Sequence, residues 1–183
     1  IRGQVGKGHI TAEFMLRLGW AVGRVLAHEK HARVLIGRDT RISGLVLQSA
    51  LQAGLSSAGV ETHLLGVVPS PAVAYLTHSL RANAGIVITA SHNPFQDNGV
   101  KFFNAAGMKL PDAMEHEIEE QMQKPMQMAS SSCLGSVKSL VDAAGRYIEF
   151  CKSTFPEQLN LNNLKLNVYI QLYTLHLEYY RNH

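Results

Sequence analysis

A chain in which short β-branched apolar runs alternate with helical periods has few ways to bury itself. Here the runs are Val34-Leu35-Ile36, Val60 to Val68 and Gly85-Ile86-Val87-Ile88. Ahead of the first run, Phe14, Leu18, Ala21, Val22 and Val25 recur at helical spacing between Thr11 and about Glu29, with Thr11 as cap and Glu13 in the first turn. Leu47, Ala50, Leu51, Gly54, Leu55 and Ala58 mark a second helix, with Ser43 as its N-cap and Gly59 closing it. Ser70 is expected to cap a third helix reaching Ser79, with Pro71 at its first position. Strand, helix, strand, helix, strand predicts parallel crossovers. Gly99 to Phe103 lies too close to the third run for a crossover, so it predicts an antiparallel return. The expected class is α/β: a three-layer αβα domain with a mostly parallel mixed sheet, followed by the beginning of a second domain.

A length of 183 residues at 46% hydrophobic content suffices for one good core and part of a second. The net charge of +3 carries no blocks of like sign, which suits an anionic small molecule better than a nucleic-acid surface. No nucleic-acid partner is expected. No apolar run approaches the roughly twenty residues of a membrane span, and no charged segment leading into an apolar one opens the chain. No membrane partner is expected, and a cytoplasmic location is. Cys133 and Cys151 are the only cysteines and read as free thiols. His28 and His31 share a helical i, i+3 spacing, but no carboxylate or third ligand accompanies them. Gly6-Lys7-Gly8 lacks the preceding strand and the following Ser or Thr of a nucleotide P-loop.

The third run ends abruptly in Thr89-Ala90-Ser91-His92-Asn93-Pro94, at the strand edge where open α/β sheets place their chemistry. This loop offers a hydroxyl at Ser91, an imidazole at His92 and an amide at Asn93. Beyond an expected Asp97-Asn98-Gly99 turn it adds an ammonium at Lys101. Pro94 stiffens the loop, which suits a hydroxyl held ready for attack. A polar turn between two strands has the same local chemistry, and the residues alone leave both readings open. A serine hydrolase is disfavoured, because the Gly-x-Ser-x-Gly elbow is absent and a histidine directly after the serine rarely reaches back to activate it. A second strand end, Gly37-Arg38-Asp39-Thr40-Arg41-Ile42-Ser43-Gly44, sets two arginines around an aspartate. They suit either phosphate binding or pairing with Asp39 beside a helix cap.

Thr89 to Pro94, with Asn98-Gly99 and then Lys101, resembles the phosphoserine loop of the α-D-phosphohexomutases. The variant Phe95-x-Asp97-Asn98-Gly99-x-Lys101-Phe102-Phe103 most resembles the bacterial phosphoglucosamine mutase branch. Ile1-Arg2-Gly3 and Gly37 to Ser43 are similar to further family segments. The resemblance implies an intramolecular phosphotransferase that converts glucosamine 6-phosphate to glucosamine 1-phosphate through a phosphoserine and a sugar bisphosphate. It implies Ser91 as phosphoryl carrier, Arg2 and Lys101 as cations at the transferring group, and His92 as a proton-transfer aid or loop orienter. Asn93 and Arg41 would serve substrate binding. Mg2+ would be held by a phosphate oxygen on Ser91 and three aspartates of a later domain. Asp39, Asp97, Asp112 and Asp142 stand isolated here and supply no such triad. The implied partners are a hexosamine phosphate and a hexose bisphosphate, with a homodimer as a further option. A phosphomannomutase or phosphoglucomutase of the same family, and a non-catalytic domain fragment, are the alternatives.

Farther on, Asn104 to Gly107 predicts a turn, and Leu110-Pro111-Asp112 opens a helix with an Asp112-x-x-Glu115 capping box and Met114, Ile118 and Met122 on one face. Lys124 to Lys138, rich in Ser, Met and Gln, predicts the least structured stretch and the edge of the first domain. Val141, Ala144, Tyr147, Ile148, Cys151 and Phe155 make an amphipathic helix stopped by Pro156, similar to the helix that introduces the family's second domain. The expected division is 1–130 for the phosphoserine-loop domain, 131–166 for the linker helix and start of the second domain, and 167–183 for a tail that departs from the family. Asn160 to Leu166 would begin the second domain's first strand. Such a chain, taken alone, is expected to be inactive.

Overall fold

The computed structural model describes residues 1–26 and 32–156. In chain order the elements are β1 (Arg2–Gln4), α1 (Ala12–Leu26), β2 (Arg33–Arg38), α2 (Ser43–Ser57), β3 (Glu61–Val67), α3 (Ser70–Ser79), β4 (Ala84–Ile88), β5 (Asp97–Asn104), α4 (Asp112–Met122), β6 (Val137–Ser139) and α5 (Ala143–Ser153). The strands form one sheet in the order β1-β5-β4-β2-β3-β6. β2 pairs in parallel with β3 and β4, and β3 with β6. β5 returns antiparallel to β4 and pairs antiparallel with β1. This is the mixed α/β sheet that the spacing of the apolar runs predicts. His28, His31 and the expectations for residues 157–183 lie outside the described residues.

Alternation along each strand divides the core in two. Val34, Ile36, Ile86, Ile88 and Val100 face one side, where Leu18, Leu51 and Ile118 of α1, α2 and α4 cover them. Leu35 and Val87 face the other, against Val73 and Leu76 of α3 and Ala143 of α5. On the first face α1 and α2 touch backbone to backbone. A Cβ at Gly54 would stand 2.1 Å from the Leu16 carbonyl oxygen and 2.6 Å from the Trp20 nitrogen, and one at Gly19 would stand 2.2 Å from the Leu51 oxygen. None of these neighbours is a flexible side-chain end, so a methyl group can enter only by moving a helix. Among the described residues no helix is long and apolar enough to cross a membrane.

Helix ends follow the sequence only in part. Thr11 Oγ1 accepts the Phe14 N–H at 3.1 Å, and Gly59 leaves α2 with φ +90°, both as expected. Ser43 does not cap α2. It is the first helical residue behind Ile42, and its hydroxyl accepts a hydrogen bond from Asn98 Nδ2 at 2.9 Å, a tertiary partner that displaces the local amide. Ser70 likewise falls inside α3, with extended Pro69 at the cap position and Pro71 second in the helix. Pro111 precedes α4, and no side chain caps it; Asp112 and Glu115 turn to Lys109 Nζ at 3.1 and 3.7 Å instead. Asp97-Asn98-Gly99 is not a turn but the start of β5, and the turn lies one step earlier, closed by Asp97 N–H to the Pro94 carbonyl at 3.1 Å.

The stretch Lys124 to Lys138 is almost without helix or strand before Val137, as expected, yet it is tied down and ends in the sheet. Trp20 Nε1 donates to the Gln127 carbonyl at 2.7 Å, Ala129 N–H to Ser57 at 2.7 Å, and Gly135 N–H to Ser56 at 2.9 Å. β6 then pairs Val137, Lys138 and Ser139 with Thr62, His63 and Leu64. A three-residue edge strand exposed throughout carries no apolar alternation to reveal it.

This packing is testable at two places. Gly54→Ala should cost about 3 kcal/mol in urea unfolding, the upper end for overpacking, with little change in denaturant slope; a loss below about 1 kcal/mol would show that α1 and α2 can part cheaply. The second place is Glu61, whose carboxylate accepts from the His63 ring and, at 3.3 Å, from Lys138 Nζ. The His63 hydrogen bond chiefly, with Lys138 adding, holds the Glu61 carboxyl below the usual carboxylate range. The folded state thus favours the ionised form, so this stabilisation is complete above about pH 4.3 and fades as pH falls through the lower folded value. It is worth about 1 kcal/mol or less for so accessible a group. Amide exchange at Thr62, which donates to Ser136, should quicken at low pH, corrected for intrinsic rates, and Glu61→Gln should remove that dependence.

Candidate active site

The crossover from β2 through α2 to β3 runs one way along the sheet, and that from β3 through α3 to β4 runs back past β2. α2 and α3 lie on opposite faces. The neighbouring C-terminal ends of β2 and β4 are therefore the point where the winding reverses, which in open α/β sheets opens a crevice. Two loops leave from it, 39–42 after β2 and 89–96 after β4. The Asp39 N–H donates to the Ile88 carbonyl at 3.0 Å and the Thr89 N–H to Gly99 at 2.9 Å, so both loops start from a fixed ladder.

Arg41, which the resemblance implies for substrate binding, joins the two loops. Its side chain is buried, the whole residue being 6% exposed. Nε donates to Asp39 Oδ2 at 3.1 Å. Nη1 donates to the carbonyls of Pro94 and Asp97, and Nη2 to those of Ser91 and Asn93, at 2.5 to 3.1 Å. A guanidinium has five N–H groups, and all five are engaged. No donor remains for a sugar or a phosphate.

Above this anchor Ser91 sits at φ +58°, a left-handed conformation that costs a residue with a Cβ about 1–3 kcal/mol. The Thr89 hydroxyl accepts the Ser91 N–H at 3.0 Å, and the Asn93 N–H closes the turn onto the Ala90 carbonyl at 3.1 Å. The Ser91 hydroxyl is left exposed, with His92 Nδ1 3.4 Å from Oγ, long for a hydrogen bond. Among the described residues no carboxylate orients His92, so the serine-hydrolase triad is absent. Asn93 is held on both ends of its amide: Oδ1 accepts from Arg2 Nη1 at 3.1 Å, and Nδ2 donates to Asp97 Oδ2 at 2.8 Å.

Ser91, His92, Asn93 and Arg2 are thus gathered at one loop. Among the described residues no hydrogen bond or ion pair joins Lys101 to them. Its register opposite Val87 places it on β5, exposed and without a hydrogen-bond partner among the described residues. Two contributors escape sequence reasoning, Thr89 through its hydroxyl and fully buried Asn98 through its ties to Ser43 and the Gly99 N–H. Both stand in the motif that carries the family resemblance, but nothing local gave their roles, and the Asx-Gly pair at Asn98 pointed to a turn. Among the described residues no three His, Cys, Asp or Glu side chains converge as metal ligands. Asp39 and Asp97 are committed to Arg41 and Asn93. The residues present therefore do not make a magnesium shell of their own.

The left-handed turn is testable by stability alone. Ser91→Gly should leave the melting temperature unchanged or higher, since glycine adopts positive φ freely, whereas Ser91→Val should lower it by several degrees because a β-branched side chain resists it. Equal melting of the two variants would mean that the strain is absent in solution.

By class this is a doubly wound α/β/α domain that carries a rigid polar loop at its switch point. Residues 1–129 match the family described as phosphoglucomutase/phosphomannomutase, alpha/beta/alpha domain I, and the chain belongs to that family. It is 63% identical over 166 residues to the phosphoglucosamine mutase of Nitrosococcus oceani, covering 91% of this chain and 37% of that protein. It is 62% identical over 168 residues to the phosphoglucosamine mutase of Coxiella burnetii, covering 92% of this chain and 38% of the relative. The solved structure of a putative phosphomannomutase from Thermus thermophilus superposes with a TM-score of 0.74 at 31% identity, over 86% of this chain and 35% of that one. The chain thus spans less than two fifths of the length of these curated relatives.

Proposed function

We propose that this chain is the phosphoserine-loop domain of a phosphoglucosamine mutase, with residues 1–130 as that domain, 131–166 as linker helix and start of a second domain, and 167–183 as a divergent tail. The observation that carries the reading is the exposed Ser91 hydroxyl on a loop whose carbonyls are turned inward onto Arg41. The two relatives at 62–63% identity support it from the side of sequence.

In the proposed reaction a sugar hydroxyl attacks the phosphorus carried on Ser91. The new sugar O–P bond forms as the Ser91 Oγ–P bond breaks, and the hydroxyl proton passes to a base. His92, whose Nδ1 faces Oγ, is the nearest candidate. The sugar bisphosphate then turns over and returns its other phosphoryl group to Ser91, which converts glucosamine 6-phosphate to glucosamine 1-phosphate. Charge spreads over the transferring oxygens, so Arg2 beside Asn93 and Lys101 on β5 serve as its cations. Asn93 serves the loop's shape more than the sugar, since its amide is already engaged. A magnesium ion would meet the phosphate on Ser91 and draw its carboxylates from the part of the longer relatives that this chain lacks.

The test supplies that part. The chain, mixed with the remaining segment of a close relative, a hexose 1,6-bisphosphate and magnesium, should gain one phosphate, located on Ser91 by mass spectrometry. Ser91→Ala should abolish it, and Arg2→Ala or Lys101→Ala should slow it by about 10²-fold without moving the site. Phosphate on Ser43 or Ser70 with Ser91 unmodified would sink the reading.

A further inference from the structure

We infer that Arg41 is the positioning residue of this site: it holds the backbone of the nucleophile's loop in one shape, and acts on the reaction only through Ser91. The functional half of this inference rests on Ser91 being the phosphoryl carrier. The structural half does not.

Four carbonyls of the loop converge on this one side chain. Ser91 and Asn93 lie in the turn closed by Asn93 N–H to Ala90, and Pro94 and Asp97 lie in the turn closed by Asp97 N–H to Pro94. Two successive turns can be linked in many relative orientations; the Asn93 Nδ2 to Asp97 Oδ2 hydrogen bond ties them side chain to side chain but leaves their carbonyls unaimed. The guanidinium aims them. Its two terminal nitrogens take two carbonyls each, one pair from each turn, in a single planar fork. With the Ser91 carbonyl aimed inward at Nη2 and its N–H held by Thr89 Oγ1, both peptide planes around Ser91 are fixed. Such a pose carries the left-handed φ of +58° and turns Oγ outward.

Asp39 is the other half of the device. Its Oδ2 takes Nε at 3.1 Å while its Oδ1 takes the Arg41 backbone N–H at 3.0 Å, so one carboxylate fixes both ends of the arginine. It also neutralises a buried cation that would otherwise be costly. Lysine cannot replace this residue. An ammonium offers three donors in a tetrahedron and leaves at least two of the five acceptors unpaired. The position is therefore not a generic positive charge, and it differs from Arg2, which donates to Asn93 and stays exposed.

The experiment compares the chain with Arg41→Lys and Arg41→Ala. Thermal melting reports the core, amide exchange at Asn93 and Asp97 reports the two turns, and the Ser91 three-bond HN–Hα coupling reports its φ. With the complementing segment, the rate of phosphate uptake by Ser91 is followed against hexose 1,6-bisphosphate concentration. Arg41→Lys should melt cooperatively while exchange at Asn93 and Asp97 rises about tenfold or more, and exchange at Ile86 should not change. Its maximal rate should fall by about 10²-fold, the scale of an ångström-sized misplacement, with the half-saturating concentration within about twofold of the unsubstituted chain. Arg41→Ala should do the same or more. If only Arg41→Ala fails to fold, Arg41→Lys still decides.

Retained protection and rate in Arg41→Lys would overturn the inference. A raised half-saturating concentration with an unchanged maximal rate would overturn it in favour of direct substrate contact. Should the unsubstituted chain take no phosphate on Ser91, the mutase reading fails, and the exchange and coupling data still decide whether Arg41 shapes the loop.

Discussion

Four backbone carbonyls aimed at one buried point repel one another unless a cation occupies it. The loop 89–97 is built around that requirement, and Arg41 meets it from a neighbouring strand end. What puts the guanidinium there is the parallel ladder. β2 and β4 pair with Arg38 opposite Ile88, so the two strands end level and the Asp39 N–H reaches the Ile88 carbonyl. A slip of one residue would turn Val34, Ile36, Ile86 and Ile88 to the wrong face and move Arg41 off the loop together. Core and site are thus set by one register, which is why a polar loop can be rigid at the edge of an apolar sheet.

The layers were legible because they are written in side-chain periodicity. Val34 and Ile36 against Leu35, and Ile86 and Ile88 against Val87, separate into the two faces that alternation requires. The helix starts were less legible, since a hydroxyl's preference for an N-cap says nothing of competing partners elsewhere in the fold. Ser43 had such a partner in Asn98. Ser70 lost the position to Pro69, whose extended backbone already makes the entry to α3. β6 was invisible for another reason. Its three residues are exposed, and what recruits them is the free edge of β3, which no local pattern records.

The site shows the same division. Ser91, His92 and Asn93 could be singled out because hydroxyl, imidazole and amide are side-chain properties, and Arg2 through the family resemblance; the structure gathers all four at one loop. For Arg41 the pairing with Asp39 was one of the two readings open, but its hold on the loop was not legible, because four of its five partners are carbonyl oxygens, which every residue possesses. Gly99 was misread in a related way. As part of an Asx-Gly pair it suggested a turn, whereas a Cβ there would stand 2.6 Å from the Ile1 oxygen and 3.0 Å from the Thr89 oxygen. It is glycine for the sake of neighbours on both sides of β5, and not for its own φ.

Arg41 and Arg2, the two guanidinium groups hydrogen-bonded to the loop, divide the electrostatics between them. Arg41 is buried, saturated with acceptors and paired with Asp39, so its charge serves shape. Arg2 is exposed, and Lys101 has no partner among the described residues, so their charge remains available to an anion. Both available cations sit on the antiparallel strands β1 and β5, while the saturated one follows a parallel strand. The mixed sheet has a physical reason on this account. A helical crossover after the loop would have carried the next strand a dozen or more residues away, whereas a hairpin-like return brings β5 back along β4 at once. The parallel half can then build a stiff turn from buried hydrogen bonds, and the antiparallel half supplies exposed charge beside it. Under the proposed function, a phosphoryl group on Ser91 would rest on an oxygen fixed in place from below, with Arg2 at the same loop and Lys101 on β5 as the exposed cations.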